Sequence, residues 1–201
     1  MADPDTVAET AESIFDSMRD DRLVSIYIGD DPTPFLIQQS IICAASPFFK
    51  TAFTGSNTYE EAKTGILRLP EDDLQAWQIF IYWLVRAKIP QGFGLSVIKA
   101  WTLGDKYQIP QLQDDVMFEV MRILDDHEEQ SIQVPNVAFS FCPPGSLMRK
   151  FLSDQVVLIA KHCPRALWDW NSLEALCEDP GNRRDLLHAL FRNEQENLFG
   201  W

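Results

Sequence analysis

Basic residues are scarce in this chain: 17 Lys and Arg stand against 30 Asp and Glu, leaving a net charge of -13. Such a field repels phosphate backbones and anionic lipid, so neither nucleic acid nor a membrane surface is an expected partner. Long apolar runs are missing as well, and no stretch nears the roughly 20 apolar residues that cross a bilayer. Met1-Ala2-Asp3-Pro4-Asp5 has no basic stretch leading into an apolar one, so no secretory signal is read there. Cysteine is sparse. Cys43, Cys142, Cys163 and Cys177 stand far apart without paired spacing, which suits reduced thiols in the cytoplasm or nucleus better than a disulfide framework.

Groups for chemistry are also few. His127, His162 and His188 are scattered and no nucleophile motif accompanies them, so no catalytic residue is assigned and no enzyme is expected. His162-Cys163 and Cys177 lack the tight paired spacing of structural zinc sites, so no metal is expected. Gly92-x-Gly94 has no strand before it and no Lys-Ser after it, unlike a phosphate cradle. Neither a cofactor nor a small-molecule substrate is expected.

What is present is a folding chain. Hydrophobic residues at 46% are too many for disorder, and 201 residues suffice for one core with a smaller packed appendage. Residues 6–19 read as an amphipathic helix, with Thr6 and Glu9 at capping-box spacing and Ile14, Phe15 and Met18 as its apolar stripe. Leu23 to Ile28 alternates as a strand does, Gly29 to Pro32 is turn chemistry, and Phe35-Leu36-Ile37 completes a hairpin. Ser40 to Ala45 is helical, and Ser46-Pro47 restarts a helix with a good N-cap and a proline at the first position. Phe48, Phe49 and Phe53 point its mass inward, and Gly55-Ser56-Asn57 ends it.

Ile66 to Leu69 reads as a third strand, and Leu74, Trp77, Ile81 and Leu84 space a helix that Phe80, Tyr82 and Trp83 make apolar nearly all round. Helices are predicted over 96–107 and 110–125, and the polar run 125–130 marks a boundary. Beyond it come an extended segment over Val134–Phe139, a turn at Cys142 to Gly145 and a helix over 146–161. Asn171 and Glu174 start a helix ending near Pro180-Gly181, and 183–196 forms the last, whose Leu186, Leu187, Leu190 and Phe191 dock on the helix before it. Trp168, Trp170 and Trp201 are read as packing residues. The order implies an α+β fold, a small three-stranded sheet with helices gathered around it.

Three runs together resemble the BTB/POZ family. Phe35-Leu36-Ile37-Gln38 through Ile41–Ala45 to Ser46-Pro47-Phe48-Phe49-Lys50-Thr51-Ala52-Phe53 is similar to its strand end and serine-capped phenylalanine helix. Ile66 to Asp73, then Trp77 and Phe80 to Leu84, is similar to its I-x-L-x-x-D…F-x-x-F-L-x-W-L segment. Leu103-Gly104-Asp105-Lys106-Tyr107-Gln108-Ile109-Pro110-Gln111-Leu112 resembles its L-A-D-K-Y junction. Residues 57–90 and the tail from 131 look most like BTB proteins of filamentous fungi. The chain departs at Leu23-Val24 and Gln38-Gln39, where many members carry the Asp and His near their dimer groove.

The resemblance implies an N-terminal segment (1–19), a BTB domain (20–126) and a helical C-terminal extension (127–201). It also implies an intracellular protein-protein interaction module. In adaptors of cullin-based ubiquitin ligases the loop before the third strand carries a φ-x-E motif, which Tyr59-Glu60-Glu61 matches, so Tyr59 and Glu61 would meet a cullin scaffold. The other reading of that loop is a solvated acidic turn whose tyrosine folds back on its own domain. Ile14, Phe15 and Met18 would form a homodimer contact or bury within their own chain. A scaffold for oligomerisation or regulation that meets no cullin is the alternative function.

Overall fold

The computed structural model describes residues 19, 21–55, 59–94, 96–126, 139–162 and 170–199. The helix predicted over 6–19, with Ile14, Phe15 and Met18, lies outside them except for Arg19, as do Trp168, Trp201, Cys163 and His127. The chain gathers into two compact units, Met1–Lys88 with Gly104–Pro110, and Ile89–Leu103 with Gln111–Trp201.

The first unit holds a three-stranded mixed sheet. β1 (Leu23–Ile28) turns at Gly29, whose φ of 56° suits a residue without Cβ, and returns as β2 (Phe35–Gln38) in the predicted hairpin. Leu23 opposes Gln38 and Ile26 opposes Phe35 in that antiparallel pair. β3 (Ile66–Leu69) joins β1 on its other side in parallel, Ser25 against Ile66 and Ile28 against Leu69, for the order β2-β1-β3. Alternation sets the faces. Val24, Ile26 and Ile28 are buried, while Tyr27 on the other face carries the Arg68 guanidinium 4.1 Å from its ring centre, the two being register partners.

Between β2 and β3 lie α1 (Gln39–Ala45), α2 (Pro47–Thr54) and α3 (Glu60–Thr64), and α4 (Leu74–Arg86) follows β3. Ser46 caps α2 by accepting from Phe48 N at 3.2 Å, and Asp73 caps α4 by accepting from Ala76 N at 3.0 Å. Phe49 stands at the centre of the core, with ring centroids 5.0 Å from Tyr107, 5.9 Å from Trp77 and 6.3 Å from Phe80. Two expectations need correction. Phe48 is 40% exposed, because only Phe49 and Phe53 share the inward side of α2. The buried stripe of α4 is Ala76, Trp77, Ile79 and Phe80, and Leu74 lies outside it because Asp73 caps the helix there.

The second unit is helical among its described residues: α5 (Ser96–Lys106) through Leu103, α6 (Pro110–Asp126) from Gln111, α7 (Leu147–His162), α8 (Trp170–Glu178) and α9 (Pro180–Phe199). α6 buries Leu112, Val116, Val120 and Ile123, the face its spacing predicts. Phe139, Val156, Leu176 and Leu186 form a separate small core where α7, α8 and α9 meet, with Cys177 against it. Phe139, expected in an extended segment, instead lies in a helical turn that includes 139–141. Residues 134–138 lie outside the described residues.

α8 ends at Glu178, near Pro180-Gly181 as expected, and those two residues open α9, which was expected only from 183. Asp179 Oδ1 accepts from Asn182 N at 2.9 Å, and a proline in the first turn of a helix loses no intrahelical bond. Asn171, the expected cap, lies inside α8.

Candidate functional site

Elements from two of the motif runs meet in the first unit at one carboxylate. Asp72, its side chain 6% exposed, accepts from Trp77 Nε1 at 2.7 Å, Tyr107 hydroxyl at 2.6 Å and Lys106 Nζ at 2.6 Å. Ser46 Oγ, also buried, donates to the Tyr107 carbonyl, so the phenylalanine helix joins the same knot. Burial, then the hydrogen bond to Asp72 and its charge, push the Tyr107 hydroxyl well above the usual phenol range. The group is therefore a proton donor held in place, and the knot fixes the β3–α4 turn, α2 and the Lys106–Tyr107 junction together.

That frame positions the segment carrying Tyr59 and Glu61. Expected as a loop, it includes the one-turn helix α3, with Tyr59 at its N-cap and Glu60 and Glu61 in its first turn, where the helix dipole favours carboxylates. Gly65 ends it at φ 70°, and its N–H donates to the Glu61 carbonyl at 2.9 Å. The Gly65 carbonyl then accepts from Ser25 N at 2.8 Å, so the same glycine closes the helix and starts the parallel strand pair.

Arg22 braces α3 from below. Its Nη2 donates to the Ala62 carbonyl at 2.7 Å, and its Nε donates to Gln39 Oε1. The Tyr59 ring is 51% exposed at the head of this braced turn. Its inner edge lies on Gly55, where an added Cβ would come within 3.1 Å of Cδ2 and 2.5 Å of the Thr51 carbonyl. Glu60 is exposed and Glu61 half-buried. An exposed aromatic edge on a fixed base beside two carboxylates can serve as a docking feature, because tyrosine buries much area at low entropy cost.

The second unit has its own buried charge, which the sequence reading did not single out. Arg149, 3% exposed, donates from Nη1 to the Cys142 carbonyl at 3.2 Å and from Nη2 to Asn182 Oδ1 at 2.7 Å. Its Nε lies 2.8 Å from Asp185 Oδ2, a pair opposed as charges without the alignment of a hydrogen bond. Its guanidinium sits 5.1 Å from the Phe139 ring centre. The only signal in the sequence was an arginine among apolar helix residues.

The described thiols and His188 lie outside the Tyr59 turn. Cys43 Sγ lies 3.6 Å from the Phe49 carbonyl, and burial, then the Asp21 charge, raise its pKa, disfavouring a thiolate. Cys142 is buried, Cys177 half-buried and His188 exposed. Among the described residues no three His, Cys, Asp or Glu side chains gather as metal ligands, and no helix is long and apolar enough to cross a membrane. The expected stripe of α9 is corrected in part. Leu186 docks, with Ala189, but Leu187, Leu190 and Phe191 are 47%, 42% and 65% exposed, because the neighbouring helices cover only the Leu186–Ala189 face.

No protein-family model and no curated protein matches this chain. Among solved structures it is similar to the BTB (Tramtrack and Bric a brac) domain of human Gigaxonin, with a TM-score of 0.39 and 18% sequence identity over 58% of this chain and 92% of that one. That match is to a human protein and lends no support to the likeness with fungal sequences.

Proposed function

We propose that the chain is a non-catalytic, intracellular protein-interaction module of the BTB type over residues 20–126, with 1–19 and 127–201 as flanking segments. We propose further that it presents a partner to a cullin-based ubiquitin ligase through Tyr59 and Glu61. The observation that carries the reading is the braced α3 turn, where Tyr59 stands half out of the surface at the head of a helix tied down by Arg22 and Gly65. The meeting of two family-like runs at Asp72, with the third tied in through the Ser46 bond to the Tyr107 carbonyl, supports the module assignment. Pull-down with a cullin N-terminal domain tests it. Capture of the wild type, lost in Tyr59→Ala and Glu61→Lys, is expected. Unchanged capture by both variants removes the site, and no capture at all removes the adaptor role.

The second reading, an oligomerisation or regulatory scaffold that meets no cullin, draws on two observations. Tyr59 rests one edge on Gly55, and Gln38 stands where many members place the groove histidine. Under this reading Ile14, Phe15 and Met18 form a homodimer contact. Light scattering on Phe15→Ser distinguishes it: a fall in mass supports the contact, and an unchanged mass removes it.

A further inference from the structure

Two helices of the second unit each expose an apolar stripe, and at one end of each, Asp125 on the first and Arg184 on the second, the bordering charges are opposite. On α6, Asp114, Phe118, Met121 and Asp125 follow one another at three- and four-residue steps directly opposite the buried Leu112–Val116–Val120–Ile123 face. Phe118 is 70% exposed and Met121 38%, while both aspartates are exposed. On α9 the outward side carries Arg184, Leu187, His188 and Phe191, and with Pro180 and Arg183 these line a trough of about 330 Å³. Arg183 is committed to the Cys177 carbonyl at 2.9 and 2.8 Å; Arg184 is exposed beside it.

We propose that a second copy of this chain docks here, α6 of each copy lying antiparallel against α9 of the other. The complementarity is on both surfaces at once. A phenylalanine and a methionine face a trough walled by Leu187 and Phe191, and an acidic end faces a basic one. The spacing matches too, since Asp125 to Phe118 and Arg184 to Phe191 both span seven residues, about 10 Å along a helix. Asp125 then opposes Arg184, Met121 opposes Leu187, and Phe118 enters the trough beside Phe191. In a chain of net charge -13, a basic-edged apolar trough fits an acidic amphipathic helix, and α6 is one. A two-fold pair uses both stripes of both copies and closes. The inference is independent of the N-terminal contact proposed above.

Sedimentation equilibrium of the full chain tests it. Concentration-dependent association that weakens with salt is expected, because edge charges are screened. Asp125→Arg and Arg184→Glu should each weaken it about tenfold, as should Phe118→Ser, on the scale of a central interface residue. A mixture of the Asp125→Arg and Arg184→Glu chains should associate as the wild type does, since both contacts of the mixed pair regain opposite charges. Circular dichroism checks that each variant keeps its helices, and the wild-type salt series gives a reading that needs no variant. A monomer at every concentration overturns the proposal. So does association that salt and all three substitutions leave unchanged, and that result leaves self-association through another surface intact.

Discussion

Each unit is organised around one buried charge, and the two charges recruit different partners. Asp72 collects side chains: an indole, a phenol and an ammonium, each from a particular residue type. Arg149 takes its partners in part from the main chain, the carbonyls of Phe139 and Cys142, with Asn182 and Asp185 completing the set. A knot built of side chains must write itself into the sequence, whereas one built on carbonyls does not, because every residue carries one. This is why the first unit shows recognisable runs and the second shows almost none.

The difference can be broken from either side. The largest effect is expected from Arg149→Met, which strands Asp185 in a buried site and removes the donors to two carbonyls; a loss of about 3–5 kcal/mol is expected from urea denaturation. Adding Asp185→Leu should recover part of it, since a buried pair replaced by packed apolar groups loses much less than a broken one. Next comes Asp72→Ala, which leaves the Trp77 and Tyr107 donors without an acceptor at about 1–3 kcal/mol for each buried group; Asp72→Asn keeps an acceptor and should lose less.

Smaller effects sharpen the comparison. Ser46→Ala removes the α2 cap and the bond to the Tyr107 carbonyl, for about 1 kcal/mol by thermal denaturation. Tyr107 supplies a pH signature. Its folded-state pKa lies above the unfolded value of about 10, so its contribution is complete below that pH and is lost as the pH rises beyond it. Denaturation midpoints should fall above about pH 10 in the wild type and fall less in Tyr107→Phe; equal slopes would detach the hydroxyl from the fold's alkaline stability.

Legibility followed the same division. The hairpin, the Ser46-Pro47 restart and the start of α4 at Leu74 were readable because alternation, a serine cap and apolar spacing are local signals. α3 escaped because Glu60–Thr64 makes one turn with no apolar period. Pro180-Gly181 marked the end of α8 but hid the start of α9, because a proline serves equally after one helix and at the front of the next, and here the Asp179 bond to Asn182 N makes it the front. At the candidate site the residue types of Tyr59 and Glu61 were legible. The Arg22 brace was not, since it acts on the Ala62 and Lys63 carbonyls across the sheet from a distant part of the chain.

The parallel pairing of β1 with β3 also dictates an order of events. β1 and β2 can zip as a local hairpin in microseconds, but β3 reaches β1 only after α1, α2 and the turn behind Tyr59 have been threaded between them. Since Gly65 and Arg22 fasten that turn through the same late pairing, a nascent or partly unravelled molecule would not yet display the tyrosine edge. Pulse-labelled amide exchange should find Ser25, whose N–H bonds the Gly65 carbonyl, protected after Val24, whose N–H faces β2, and any partner that reads Tyr59 would thereby be reading the maturity of the chain as well as its identity.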